Sequence, residues 1–166
     1  IIVNGKIIKD EHYPISLFDI ITIVPLKKNY KLIIDERGKF DVHEVNDKES
    51  REKIVKIIDK RLLKGKKIQL NLSDGRNYLS SIECTVGDSV IVDFEKKKIE
   101  KIIPMKENHE ALVLTGKNAG MKGKIIEIQK EKNKIKFLIE KEDKEIEINP
   151  KSIIVIKWKT RNFSIM

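Results

Sequence analysis

Short alternation of apolar and polar residues, broken every few positions by Gly, Asn or Asp, runs along most of this chain and predicts β-strands. Ile1–Val3 and Lys6–Lys9 read as two short strands joined by Asn4-Gly5, a dipeptide that suits a type I′ hairpin turn. Ile20–Val24 is an apolar strand ended by Pro25, and Lys31–Asp35 and Lys39–Val45 form a hairpin about Glu36-Arg37-Gly38. Further strands are expected at Lys67–Leu72, before the Ser73-Asp74-Gly75 turn, and at Val90–Phe94 and Ile99–Ile103. Beyond Pro104 come Ala111–Thr115, Lys124–Lys130, Lys134–Glu140, Glu145–Ile148 and Ile153–Lys157. Five short strands with polar turns between them predict a small closed barrel, because closure removes open strand edges.

One stretch carries a different period. Asn46 offers an N-cap with Glu49 three residues on, a capping-box arrangement. Ile54, Ile57, Ile58 and Leu62 follow at helical spacing, and Gly65 would stop the element. This predicts one helix, with Lys53, Lys56, Lys60, Arg61 and Lys64 directed away from its buried stripe. The expected fold is therefore mainly β, of α+β type, with a break at Pro104 between a central β-rich unit and the barrel.

Charge narrows the choice of partner. Lys+Arg is 35 against Asp+Glu 26, a formal net charge of +9, which favours a polyanion because clustered cations release counterions from phosphates. Residues 1–25 carry 2 bases and 3 acids, residues 26–104 carry 19 and 14, and residues 105–166 carry 14 and 9. After Glu147 there is no acid, whereas Lys151, Lys157, Lys159 and Arg161 make a small basic tail. Cys84 is the one cysteine, so an internal disulfide or a cysteine-rich zinc site is excluded. No apolar run approaches the roughly 20 residues that cross a bilayer, and no membrane partner is expected. The chain begins at Ile1 without an initiator methionine, as a fragment or processed product would.

The sharpest local motif is Gly116-Lys117-Asn118-Ala119-Gly120-Met121-Lys122-Gly123. Its glycines permit positive φ and close backbone approach, and Lys117, Lys122 and Lys124 would place cations beside exposed N–H groups, a possible phosphate cradle. The equally open alternative is a tight barrel loop with solvated lysines. A P-loop is excluded, since the Gly-Lys-Ser/Thr ending is missing. Arg37, Lys39, Arg76 and Asn77 lie on turns where side chains reach outward, although solvated turn chemistry would look the same. Lys60-Arg61 with Lys64, Lys66 and Lys67 is the densest basic cluster, and Lys96-Lys97-Lys98 sits on a hairpin tip. His12, His43 and His109 lack the paired spacing of a zinc site. Aromatic residues make up only 5% of the chain, which does not support an aromatic base-stacking platform. No Ser/His/Asp, Cys/His or paired-carboxylate arrangement stands out, and neither a catalytic site, a metal nor a cofactor is expected.

The 116–123 loop between alternating strands resembles the KOW motif of SH3-like barrels, with Gly123 at its hallmark glycine. With Asn118 in the loop, the chain resembles the ribosomal protein S4e family of the archaeal and eukaryotic small subunit. Val3-Asn4-Gly5-Lys6, Tyr13-Pro14, Phe18-Asp19 with Ile20–Ile23, Leu32-Ile33-Ile34-Asp35, Val42-His43, Asp74-Gly75-Arg76-Asn77 and Gly87-Asp88-Ser89-Val90 agree with that family in order and spacing. The resemblance implies that residues 1–25 are the C-terminal remnant of an αL-type RNA-binding domain, 26–104 a central β-rich domain, and 105–166 a KOW barrel with a basic tail. Trp158 resembles a remnant of the family's C-terminal pattern.

The resemblance further implies a structural, non-enzymatic constituent of the cytoplasmic small ribosomal subunit, monomeric when isolated. It would bind rRNA and neighbouring ribosomal proteins. The RNA-binding residues expected on this basis are Lys6, Arg37, Lys39, His43, Arg76, Asn77, Lys117, Asn118, Lys122 and Lys124. Lys outnumbers Arg 30 to 5, so point-charge contacts should outnumber bidentate ones. The alternative is a transcription or translation factor that docks its KOW barrel reversibly on a protein partner. A third reading, an RNA-modifying enzyme carrying an αL domain, would need a catalytic domain that these residues do not contain.

Overall fold

The structure is a computed structural model that describes residues 1–157, in which fifteen strands pair antiparallel to form three five-stranded sheets. The first sheet contains β1 (Ile2–Val3), β2 (Lys6–Ile7), β3 (Ile20–Ile23), β4 (Lys28–Ile34) and β5 (Phe40–Val45), in the order β2-β1-β3-β4-β5. The second contains β6 (Glu52–Leu62), β7 (Ile68–Leu72), β8 (Asn77–Ser80), β9 (Ser89–Asp93) and β10 (Lys98–Ile103), in the order β10-β9-β6-β7-β8. The third contains β11 (Glu110–Val113), β12 (Lys122–Gln129), β13 (Lys134–Ile139), β14 (Lys144–Ile148) and β15 (Ile153–Lys157), in the order β14-β13-β12-β11-β15. Strand pairing crosses residue 25, because Ile23 of β3 sits opposite Lys28 of β4.

The expected helix does not form. Asn46 Oδ1 accepts the Glu49 N–H at 2.8 Å, but only a single 3₁₀ turn follows at Glu49–Arg51, and its N-cap position is Lys48. From Glu52 the chain is the longest strand of the molecule, and no α-helix occurs among the described residues. The reason lies in the side chains: Ile54, Val55, Ile57 and Ile58 are β-branched and favour strand geometry. Lys53, Val55 and Ile57 alternate into one buried face, whereas Ile58 and Leu62 of the supposed stripe are 55% and 80% exposed. β6 serves two neighbours, pairing with β9 over Glu52–Lys56 and with β7 over Ile57–Leu62. β8 went unread because Asn77–Ser80 is too short to show alternation. The expected tail cations Lys159 and Arg161, the Lys157 side chain and Trp158 lie outside the described residues.

Three apolar clusters hold the sheets together. Val55, Ile57, Leu70, Leu72, Val90 and Val92 fill the second sheet. Ile125, Ile135, Phe137 and Ile153 fill the third, joined by Ile91 and Ile103 of the second. Phe18, Leu112, Ile154 and Ile156 form the last cluster, with Ile34 and Ile54 packed against it, so residues of all three sheets meet there.

Two lysines of β6 that were expected to point outward are buried at this junction. Lys53 is 2% exposed and ion-pairs with Asp19 ahead of β3 and, at 3.5 Å, with Asp74 of the β7–β8 turn. Burial pushes the Asp19 carboxyl up, but hydrogen bonds from Lys53, the Ser16 N–H and Asn4 outweigh it and hold its pKa below the usual range. Lys56 Nζ donates to the carbonyls of Pro150 and, at 2.7 Å, Ile153. No carboxylate faces it in the recorded contacts, and burial lowers its pKa to about 8. Lys53 thus ties the first sheet to the second, and Lys56 ties the second to the third.

Candidate nucleic-acid interface

The loop between β11 and β12 is shaped by its own backbone. Gly120 N–H donates to Val113 O at 2.8 Å, Ala119 N–H to Gly116 O at 3.2 Å and Met121 N–H to Asn118 O at 3.1 Å. Gly120 has φ +88°, and a Cβ built there would lie 1.8 Å from the carbonyl oxygen of Asp35. Gly38 meets the loop from the other side, its Cβ position 3.2 Å from Ala119 O. The β4–β5 turn and the β11–β12 loop are therefore docked backbone to backbone, an approach open only to glycine. Gly123, the expected hallmark position, is required for a separate reason: a Cβ there would sit 1.9 Å from Leu138 O on β13.

This docking brings Arg37 and Lys39 onto the same part of the surface as Lys117 and Asn118. Arg37, Lys39 and Lys117 are exposed, Asn118 is half-buried, and Lys122 and Lys124 follow at alternate positions of β12, half-buried and exposed. The local acids are spoken for. Asp35 Oδ1 accepts the backbone N–H groups of Arg37 at 2.9 Å and Lys39 at 2.8 Å, and Glu36 is ion-paired with Lys141 of the β13–β14 turn. The cations are left without an acidic partner, and the patch is net positive where it faces solvent.

A second group assembles elsewhere. Lys6, Arg76 and Asn77 line a cleft of about 610 Å³ with Tyr78, Phe94 and Lys97. The Arg76 guanidinium carbon lies 5.4 Å from the Phe94 ring centroid, and its Nε is 3.9 Å from Asp74 Oδ2. The turn at Gly5 lies beside the same residue, with its Cβ position 3.6 Å from Phe94 Cβ. His43 joins neither group: it stands exposed on edge strand β5, with Nε2 3.4 Å from Asp41 Oδ2. His109 Nδ1 is 2.8 Å from Pro104 O, a backbone tether.

Sequence reasoning missed Phe94 and Tyr78 as parts of a site, because the cleft is closed only when Lys6, Arg76 and Phe94, far apart along the chain, come together. Lys97 was read only as part of a basic tip. Among the described residues no group of three or more His, Cys, Asp or Glu could hold a metal ion, and no helix is long and apolar enough to cross a membrane.

Three antiparallel sheets whose turns and loops present unpaired cations define a basic, β-rich protein, without a cluster suited to a metal among the described residues. Residues 26–99 match the family model described as ribosomal family S4e. The chain is 34% identical over 130 residues to the small ribosomal subunit protein eS4 of Nanoarchaeum equitans, covering 78% of this chain and 56% of that protein. It is 36% identical over 125 residues to the eS4 protein of Archaeoglobus fulgidus, covering 75% of this chain and 52% of that one. The chain thus spans about half the length of the curated relatives it matches. In fold it is similar to the crystal structure of the 30S ribosomal protein S4e from Thermoplasma acidophilum, with a TM-score of 0.81 at 22% identity over 95% of this chain and 80% of that chain.

Proposed function

We propose that this chain is a structural, non-catalytic constituent of the cytoplasmic small ribosomal subunit, which binds rRNA through its phosphates and supports subunit assembly and translation. The observation that carries the reading is the glycine-mediated docking of the 35–39 turn on the 116–120 loop, which gathers Arg37, Lys39, Lys117 and Asn118 on one surface with their local acids already paired. Lys122 and Lys124 extend it along β12. An A-form RNA helix offers backbone and 2′-hydroxyls more readily than base edges, which suits a surface of lysines on tight loops. Lys6, Arg76 and Asn77 form the second contact region, and His43 a third point on β5.

In this reading residues 1–25 are the end of an αL-type RNA-binding module, although in strand pairing they share a sheet with residues 26–45. Residues 26–104 are the central β-rich domain, and residues 105–166 form a KOW barrel of SH3-like type with a basic tail. The isolated chain is a monomer. Phe40 and Val42, 71% and 51% exposed on edge strand β5, are the apolar side offered to neighbouring ribosomal proteins.

The test is RNA binding across a salt series with Lys117, Lys122 and Lys124 replaced together by Ala. Each lost phosphate contact lowers the slope of log K against log salt by about 0.7–0.9, and the variant should stay folded. An unchanged slope would make the loop purely structural and defeat the reading.

A further inference from the structure

The cleft at Arg76 has a feature that phosphate binding alone does not use. Its cations are Lys6, Arg76 and Lys97, and no carboxylate lines it. Lys6 and Lys97 are exposed and have no recorded partner. The same cleft is lined by the Arg76 and Phe94 side chains. The Arg76 guanidinium carbon lies over the Phe94 ring, 5.4 Å from its centroid, Nε is 3.9 Å from Asp74 Oδ2, and Asp74 Oδ1 accepts the Arg76 backbone N–H at 3.0 Å. Asp74 is itself ion-paired with buried Lys53 at 3.5 Å, so the Arg76 backbone is anchored to a fixed carboxylate and its side chain extends along the Phe94 ring. Arg76 nonetheless keeps 34% of its side chain exposed.

The amides divide the same way. Asn4 is consumed internally, its Nδ2 donating to Asp19 Oδ1 at 2.8 Å and its Oδ1 accepting the Ile20 N–H at 2.9 Å. Asn77 is exposed and makes no recorded side-chain hydrogen bond, which leaves it free to meet a polar edge. A stacking plane, a free amide and two flanking cations match the three parts of a nucleotide: base face, base edge and phosphate. The volume of about 610 Å³ lies in the range of small-ligand pockets.

We infer that this cleft holds one unstacked RNA nucleotide, its base lying on the outer face of the Arg76 guanidinium and its phosphate between Lys6 and Lys97. The inference rests on the RNA-binding reading for the source of the nucleotide, and adds that the RNA must present an extruded or single-stranded base here. Unpaired bases commonly stack on aromatic rings or Arg planes in this way.

The experiment titrates the isotope-labelled chain with adenosine 5′-monophosphate and, separately, with ribose 5-phosphate, following backbone amide shifts. The nucleotide should bind about tenfold more tightly and move Asn77, Tyr78 and Lys97. Arg76→Lys keeps the charge but removes the plane, so it should reduce nucleotide affinity to that of ribose 5-phosphate and leave the latter unchanged. Phe94→Leu, checked for folding by its amide spectrum, should act in the same direction. Equal affinity of the two ligands, shifts confined to other regions, or an Arg76→Lys chain that still prefers the nucleotide would each overturn the inference. A nucleotide preference without any RNA binding in the salt series would keep the cleft and remove the ribosomal reading. RNA binding without the preference would do the reverse.

Discussion

The surface made by the 35–39 turn and the 116–124 loop can be set against the hairpin tip between β6 and β7, for both are basic and they are built in opposite ways. The tip is the denser in charge, with Lys60, Arg61, Lys64, Lys66 and Lys67 in eight residues. Arg61 pairs with Asp59 at 3.5 Å and Lys60 donates to Cys84 O at 2.9 Å, while Lys64, Lys66 and Lys67 are exposed without recorded partners. Nothing lies within 4 Å of a Cβ built on Gly65, and Leu62 is 80% exposed. At the other surface, Gly120 and Asp35 are so close that no Cβ fits between them. Cations at a free tip must give up rotamer freedom when they engage a phosphate. Cations on two locked backbones start from positions already fixed relative to one another, so placement rather than charge density distinguishes the proposed interface.

That contrast can be broken at the scaffold first. Lys53→Met leaves the Asp19 carboxylate buried without its cation, and should lower unfolding free energy by about 3–5 kcal/mol in denaturant titration. An unaltered midpoint would mean the first sheet is held by other means. Gly120→Ala should come next, at about 2–4 kcal/mol, because it combines left-handed φ with backbone overlap. Gly65→Ala, at φ +80° in open space, should cost only about 1–2 kcal/mol from conformation alone. Equal losses at the two glycines would show that the docking contributes nothing.

The link between the second and third sheets is testable by pH. Folded Lys56 loses its proton near 8, while the unfolded lysine keeps it to 10.5. Between those values the unfolded chain binds more protons, so stability should rise with pH, by about 2 kcal/mol after allowance for solvent screening. A Lys56→Met chain should lack this part of the rise; parallel profiles would contradict the assignment. The smallest effect is expected at the tip. Lys64, Lys66 and Lys67 changed together to Ala should shift stability by less than about 0.5 kcal/mol and lower the RNA salt slope by less than the loop triple variant. A larger drop would move the principal contact to the tip.

Most strands were legible because each carries its own signal: the Asn4-Gly5 turn, the hairpin about Gly38, and the five short strands beyond Pro104 all appear within a few residues of their expected bounds. The 46–64 segment was misread because the Asn46–Glu49 hydrogen bond shapes only a local turn, and its apolar spacing fits a helix and a strand alike over so few turns. Lys53 and Lys56 were misplaced for a related reason. A lysine within a strand pattern is expected in solvent, and only distant acceptors, Asp19 and Asp74 for one and the Pro150 and Ile153 carbonyls for the other, make burial tolerable.

By itself the sequence determined the β-rich class, the basic balance, the hairpins and the family signature, since these depend on residue type and near neighbours. Tertiary structure alone decided that Gly38 and Gly120 would meet, that β6 would be a strand shared by two partners, and that Arg76, Phe94, Lys6 and Lys97 would surround one cleft. Those outcomes join residues dozens of positions apart. They are set by how three sheets pack on a common core, a constraint that no local pattern of hydrophobic and polar positions encodes.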